Sequence, residues 1–531
     1  EVEVAGGSFG TRMARAFYGR GNETWGIGVS LDYLGGQGDF GFLNDQGTRF
    51  DTSDDVEVDR RNNAFDRLSG MAKGHVNLAD GVTLRLLNLL TWRKMGLAGT
   101  GIDPTQEARL QTLRNLLGAR LELTRMTSLN ISASLSPWLS WSETRFEDPL
   151  GEVGNGTDDT RDSSLAPGVS AMVRVPIVLD EDVQYTLSLT ASSEYRHEAF
   201  QPGQANGATA GRASTRDFAT AAGEIAFIAD PVDLELVGAV RWESVHSTLN
   251  QPQTIFDLVA DPVDQDGEGA LTWRAALLQR SIPHTELRIN VADAMRFPSL
   301  FELFGNTGAV IGNPSLRPEA GLTIDTGFLH RAGWLAPGNV WAVEVHAFYT
   351  QLDDLIQLVP NAQNVLRAEN TDSGIIAGVE AGSWADLAAH VRVRASLTWM
   401  ETEDTSPIKA RKGKRLPQRP QWQAFGRVAG YHDFDRVSVG EVGLAVEVEH
   451  LAGNFLDFAN LVEVPPRTTL GVSAWAAFWS DQLRVDVSLR NLTASRVQDF
   501  AGFPLPGLSI LASLRYTPAR AAAAQGENTS P

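Results

Sequence analysis

The chain has 531 residues, no cysteine and a formal net charge of −20. Its length is about twice what one soluble core reaches before chains split into domains, yet no linker or composition break divides it. These features exclude a disulfide framework and thiolate metal sites and a basic nucleic-acid face, and no apolar run reaches the ~18–20 residues of a membrane helix.

Taken in chain order, the dominant pattern is alternation of apolar and polar residues with period two, which reads as strands. Glu1 opens directly on it, and no signal peptide is visible. After the turn GRGNE (19–23) comes an acidic loop over 37–60, with Asp39, Asp45, Asp51, Asp54, Asp55 and Asp59 among glycines. Clustered carboxylates suit Ca2+, which takes about six to eight oxygens. A solvated acidic loop is the preferred reading, because the spacing fits no strict calcium motif.

The turn ADG (79–81) leads into VTLRLLNLLTW (82–92), which is apolar but alternates and carries an arginine. Polar loops around 143–161, 198–213 and 249–267 are separated by strands and by short turns such as LDED (179–182). One such strand reads Val232, Leu234, Leu236, Val240 and Trp242 along a single face. The turn SIP (281–283) precedes a long loop over 295–319 that is rich in proline and glycine.

In VRVRASLTW, Val391, Val393, Ala395, Leu397 and Trp399 oppose Arg392, Arg394, Ser396 and Thr398. The loop 402–417 then opens a basic stretch with Lys409, Arg411, Lys412, Lys414, Arg415 and Arg419, which reads as an anion contact or as a solvated loop. Val442, Leu444, Val446 and Val448 form another apolar face after DFDR (433–436). Beyond SDQ (480–482), LRVDVSLRNL alternates cleanly, and LSILASLRY ends at Tyr516. The small-residue stretch 517–531 is expected to be a disordered tail after a single domain over 1–516.

Alternation also suits a soluble sandwich, so three further features decide. The expected strands are long, charged residues run through the middle of their polar faces, and short connections alternate with long ones. Together they specify an all-β fold, a transmembrane antiparallel β-barrel of about 22 strands with long loops on one side. In lipid every backbone group must pair, so a sheet spans only as a closed barrel. The apolar face then meets lipid and the charged face lines the lumen. Trp138, Trp141, Trp242, Tyr349, Trp399, Trp479 and Tyr516 fall near strand ends and read as an interfacial girdle. Catalytic motifs are not found, and the nine histidines are scattered.

The loop 295–319 carries a more specific signal. Arg296-Phe297-Pro298-Ser299, Phe301-Glu302-Leu303 and Asn313-Pro314-Ser315-Leu316-Arg317-Pro318-Glu319 resemble the central signature of TonB-dependent outer-membrane receptors. Further family-like blocks are Gly7-Ser8-Phe9-Gly10-Thr11, Asp354-Leu355-Ile356 with Glu369-Asn370-Thr371 and Gly378-Val379-Glu380, and Asn491-Leu492-Thr493 with Pro506-Gly507. The resemblance covers essentially all of 1–516 and implies location in a Gram-negative outer membrane and energised import of a scarce nutrient, such as a siderophore or cobalamin.

By the same resemblance, 296–319 is the seventh extracellular loop with its strand shoulders, and Arg296, Pro298, Glu302, Asn313, Pro314, Pro318 and Glu319 are its motif residues, with a structural role at the rim. The acidic loop corresponds to one that binds calcium in cobalamin-type members. From their charge, Lys412, Lys414 and Arg415 are the candidate contacts for lipopolysaccharide phosphates or an anionic ligand, with a solvated loop as the preferred reading. No histidine lies within 299–312, which disfavours a haem ligand. Family members begin with a plug that fills the barrel and couples to TonB. Here the first residues already read as a strand, so the plug is expected on a separate polypeptide, or to have been removed by processing. A diffusion porin and a scaffold for protein export or surface display remain the rival readings.

Overall fold

The computed structural model describes residues 1–518 except 49–50, 128–129, 154–156, 181–183, 202, 204–212, 250–262, 267–268, 307–309, 334–338, 361–365, 372, 389, 435–437 and 501. Parts of the turns expected at 179–182 and 433–436, most of the loops expected at 198–213 and 249–267, and the tail beyond Pro518 therefore lie outside the described residues.

Twenty-two strands form one closed antiparallel sheet. They are β1 Val2–Gly7, β2 Arg12–Gly21, β3 Trp25–Gly36, β4 Phe65–Ala79, β5 Val82–Gly96, β6 Arg109–Leu123, β7 Ser132–Asp148 and β8 Asp158–Asp180. Then come β9 Tyr185–Gln201, β10 Ser214–Ala229, β11 Leu234–Leu249, β12 Ala270–Gln279, β13 Thr285–Arg296, β14 Glu319–Gly333 and β15 Val340–Asp353. The series ends with β16 Gly374–Leu387, β17 Val391–Asp404, β18 Trp422–Asp433, β19 Glu441–Ala452, β20 Arg467–Phe478, β21 Leu483–Arg490 and β22 Ser509–Tyr516. Each strand pairs with its neighbours in sequence, and β1 closes the ring against β22 from Val2↔Tyr516 to Gly7↔Leu511. A short extra strand, Val263–Asp266, pairs only with the end of β11.

Alternation allots the faces as the sequence reading expects. Leu444, Val446 and Val448 of β19 are outward and exposed, as a lipid-facing surface requires. On the inner face, charges form cross-strand ladders. Arg392 meets Asp386 at 2.6 Å and Arg15 meets both Asp32 and Glu3 across strands, while Arg484 meets Asp486 at 3.0 Å along its own strand. Among the described residues, the one cluster of buried apolar side chains is Leu303, Leu316, Ile356 and Ala368, and it lies in the loops rather than in the wall. An edgeless barrel holds itself by backbone pairing and needs no thick core.

Short turns link strands at one rim and longer loops at the other, with one departure. The first long-side connection is a tight four-residue turn, Ser8–Thr11, in which Gly10 takes a left-handed φ of 66°. Additional long-side loops, at 97–108, 354–373, 453–466 and 491–508, go beyond those marked in the sequence. Two other expectations need correction. Val232 does not begin a strand face: Pro231 fixes a one-turn 3-10 helix over Asp230–Val232, and β11 starts at Leu234. Trp138 is not in the girdle. It stands three residues from Trp141 and so on the opposite face, where its ring lies against Gly168 and lines the lumen.

Candidate functional site

The signature residues meet at the long-loop rim, in the seventh connection from the start of the chain, between β13 and β14. Ser299 and Glu302 form a reciprocal capping box. The Ser299 amide and hydroxyl donate to Glu302 Oε2 at 2.7 and 2.9 Å, and the Glu302 amide donates to Ser299 Oγ at 3.2 Å. This starts the short helix Leu300–Phe304, whose Leu303 enters the loop core. Arg296, at the end of β13, holds the loop from below. Its guanidinium grips Glu302 with two bonds at 2.9 and 3.0 Å and donates to Glu319 at the start of β14. Such forked, charge-assisted bonds are the strong ones. Burial pushes the Glu302 carboxyl up, but the bonds from Arg296 and Ser299 outweigh it and hold the group below its ordinary value.

The next long loop, between β15 and β16, docks onto this one. Glu319 Oε1 accepts the Ile356 amide at 2.6 Å, and Asn313 Nδ2 donates to the Ala368 carbonyl at 3.0 Å. Asn370 is the knot: its Oδ1 accepts the Arg317 amide at 2.8 Å, and its Nδ2 donates to the carbonyls of Arg317 and Asp354 at 2.9 and 2.7 Å. Arg317 also pairs with Asp354. Pro298 is buried, while Pro314 and Pro318 are partly buried beside the Leu316 anchor. Arg296, Glu302, Asn313 and Glu319 thus come together with the Asp354–Ile356 and Glu369–Thr371 blocks in one clasp that joins two loops.

The clasp also leans on the barrel wall, through residues the sequence reading missed. Arg216 of β10, only 3% exposed, donates from Nη1 to the Pro298 carbonyl at 2.6 Å and from Nε to Ser247 Oγ at 3.2 Å. Phe218 stands edge-on to Phe297 under the Arg196 guanidinium, and Phe200 stacks on Phe304. The S-x-x-E spacing of Ser299 and Glu302 was a local signal for the helix. Nothing local distinguishes Arg216 from other luminal arginines.

A second set of loops is pinned on the other side of the mouth. Arg60 donates to the carbonyls of Thr100 and Gly99, and Gly101 donates to the Gly502 carbonyl at 2.6 Å. Glu152 accepts three successive amides, those of Gln106, Glu107 and Ala108, which lower its pKa against the opposing effect of burial. Asn491, from the last family-like block, takes φ 52° and bonds Ser495 and the Pro506 carbonyl within its own loop.

The acidic loop is spread along the hairpin of Gly41–Asn44 with Val56–Asp59. Asp51 accepts from Ser53, Asp54 from Thr48 and Asp45 from the Gly47 amide, while Asp39 and Asp55 make no hydrogen bond among the described residues. Among the described residues, no three acidic or histidine side chains converge as metal ligands. In the basic stretch, Lys412 and Lys414 are exposed, whereas Arg415 is tied to the carbonyls of Gly453 and Met400 at 3.0 Å each. Arg415 therefore joins the loop after β17 to the loop after β19.

The family model for TonB dependent receptor-like β-barrels matches residues 5–492. No curated protein matches the sequence. Among solved structures, the copper transporter OprC superposes with a TM-score of 0.73 at 13% identity, over 97% of this chain and 80% of that one. The hemophore receptor HasR of Serratia marcescens, solved as a double mutant with its hemophore HasA and heme, gives 0.70 at 17% identity over the same shares. The FrpB iron transporter of Neisseria meningitidis gives 0.72 at 14% identity, over 97% and 81%. At such identities the structures share the fold, and the family match carries the assignment. The chain belongs to the TonB-dependent receptor β-barrels, the transmembrane barrels of the Gram-negative outer membrane.

Proposed function

We propose that this barrel is the outer-membrane channel for energised uptake of a scarce nutrient, such as a chelated metal or cobalamin. The observation that carries the reading is the closed 22-strand wall, crowned by loops clasped through the family's own signature residues. A lumen of that width needs an obstruction to hold back periplasmic contents. A plug domain coupled to TonB fills that role across the family, and the luminal charge ladders offer it a polar seat. In this reading the mouth captures the ligand, and energy delivered through TonB shifts the plug so that the lumen opens. Structural neighbours described as copper, iron and hemophore–heme receptors support this class of cargo.

The test is gentle extraction of the barrel from its native membrane, identification of every co-purifying polypeptide by mass spectrometry, and uptake assays with and without a proton-motive force. The expected result is a plug, joined to this chain or carried by a separate stoichiometric polypeptide, and uptake that stops when the force is dissipated. A large steady conductance with no plug would leave a porin.

A further inference from the structure

The luminal charges are not evenly neutralised. Among the described residues, many luminal arginines elsewhere on the wall reach a carboxylate, as Arg241 does with Glu243 on its own strand, Arg427 with Glu447 on the next and Arg274 with Glu224 across one intervening strand. Arg331, and Arg394 opposite the Glu447-paired Arg427, have no ion-pair partner among the described residues. On β4, β5 and β6 the pattern breaks. Arg67 of β4 lies directly opposite Arg93 of β5, and Arg114 of β6 follows one row below, opposite Thr91. Farther down, His75 faces Arg85, which faces Arg120, with Lys73 one row above. Like charges directly opposite on one face of a sheet repel.

Little within the chain offsets this repulsion. Glu122 alone serves both Arg85, at 2.8 Å, and Arg120, at 3.1 Å. Arg67, Lys73, Arg93 and Arg114 are exposed and have no hydrogen-bond or ion-pair partner among the described residues. In a chain of net charge −20 this stripe is no reflection of average composition.

We propose that the luminal face of β4–β6 is a binding track for a multiply charged small anion, the substrate class this barrel carries; the proposal rests on the uptake reading above. The upper tier, Arg67, Arg93 and Arg114, sits toward the mouth. The lower tier, Lys73, Arg85 and Arg120, opens on a luminal cavity of about 2230 Å³ that also contains Trp138. Eight residues separate Arg93 from Arg85, or roughly 27 Å along the strand, so one small anion occupies one tier at a time and passes from upper to lower. Between the tiers lies the apolar row Met71, Leu89 and Leu116, which suits the organic part of such a ligand. Guanidinium groups match carboxylate and phosphate oxygens in forked pairs, and a one-signed luminal wall concentrates counter-charge.

The test is calorimetric titration of the purified full-length chain with inorganic pyrophosphate at low ionic strength, with raffinose as a neutral control. The combined variant Arg67→Gln, Arg93→Gln, Arg114→Gln is compared with Arg394→Gln on the far wall, after heat-modifiable gel mobility has shown that both are folded barrels. The expected result is pyrophosphate binding, no raffinose binding, at least about tenfold weaker pyrophosphate binding in the triple variant, and no change in Arg394→Gln. Equal binding by the triple variant, or an equal loss in Arg394→Gln, overturns the track. So does a triple variant that releases a co-purifying plug while its pyrophosphate binding is intact, because the stripe would then be a seat for an acidic protein face. Anion binding together with uptake indifferent to the proton-motive force would keep the track and reject the energised-uptake reading.

Discussion

Replacing Arg296 by methionine removes the guanidinium that joins the ends of β13 and β14 to the loop helix, while keeping much of the side chain's length. Three hydrogen bonds are lost, two to Glu302 and one to Glu319, and the two carboxylates, 17% and 13% exposed, face each other without their shared cation. A bond to a charged group contributes about 1.5–3 kcal/mol. The arginine is 45% exposed, so solvent screens part of each contact. Stranding two poorly hydrated carboxylates adds a cost in the other direction. The net loss expected for the clasp is about 2–3 kcal/mol, or about a 30- to 140-fold rise in its local opening constant. Hydrogen–deuterium exchange reads this directly at the amides of Leu303, Asn313 and Thr371, which donate within the clasp. Exchange in β19 and β20 should stay at its original rate, because the barrel ladder does not depend on Arg296. Arg296→Lys, which keeps the charge but loses the fork, should fall between the two. Unchanged exchange at all three amides in Arg296→Met would refute the reasoning.

Two further outcomes follow from the same geometry. The Glu302 carboxyl is held below its ordinary value, so its contribution to the clasp is fully present above the unfolded glutamate range of about 4.3. That contribution is lost as the pH falls through the depressed folded value, so the protection factor of the Leu303 amide, its exchange rate corrected for intrinsic exchange, should fall on acidification and hold steady across neutral and alkaline pH. Val446→Arg puts a charge midway along an outward strand and should cost about 2–4 kcal/mol in refolding into lipid vesicles. Ser473→Arg, on the inner face of the neighbouring strand, should refold nearly as well as the original, and equal costs would reject the face assignment.

The sequence by itself determined the barrel, because alternation is a local property imposed by two different solvents on the two sides of every strand. In LRVDVSLRNL the leucines and valines had only one place to go in lipid, and β21 presents Arg484, Asp486 and Ser488 to the lumen as that pattern requires. The signature block also told where the chain leaves the wall, through its prolines and the S-x-x-E start of a helix. Tertiary structure decided which residues meet. Asn370 lies 53 positions from Arg317, and Arg216 lies 82 from Pro298, so neither bond leaves a trace in any short window. Trp138 and Trp141 looked alike as aromatic residues near a strand end, and only their places in the pleat sent one to the lumen. Arg67 and Arg93 likewise sat in unremarkable alternating runs until the register of β4 against β5 set them side by side. Which face a residue takes follows from its own stretch of chain. Its neighbour across the sheet follows from turn lengths and loop docking along the whole chain, and that is where the clasp and the cationic track arise.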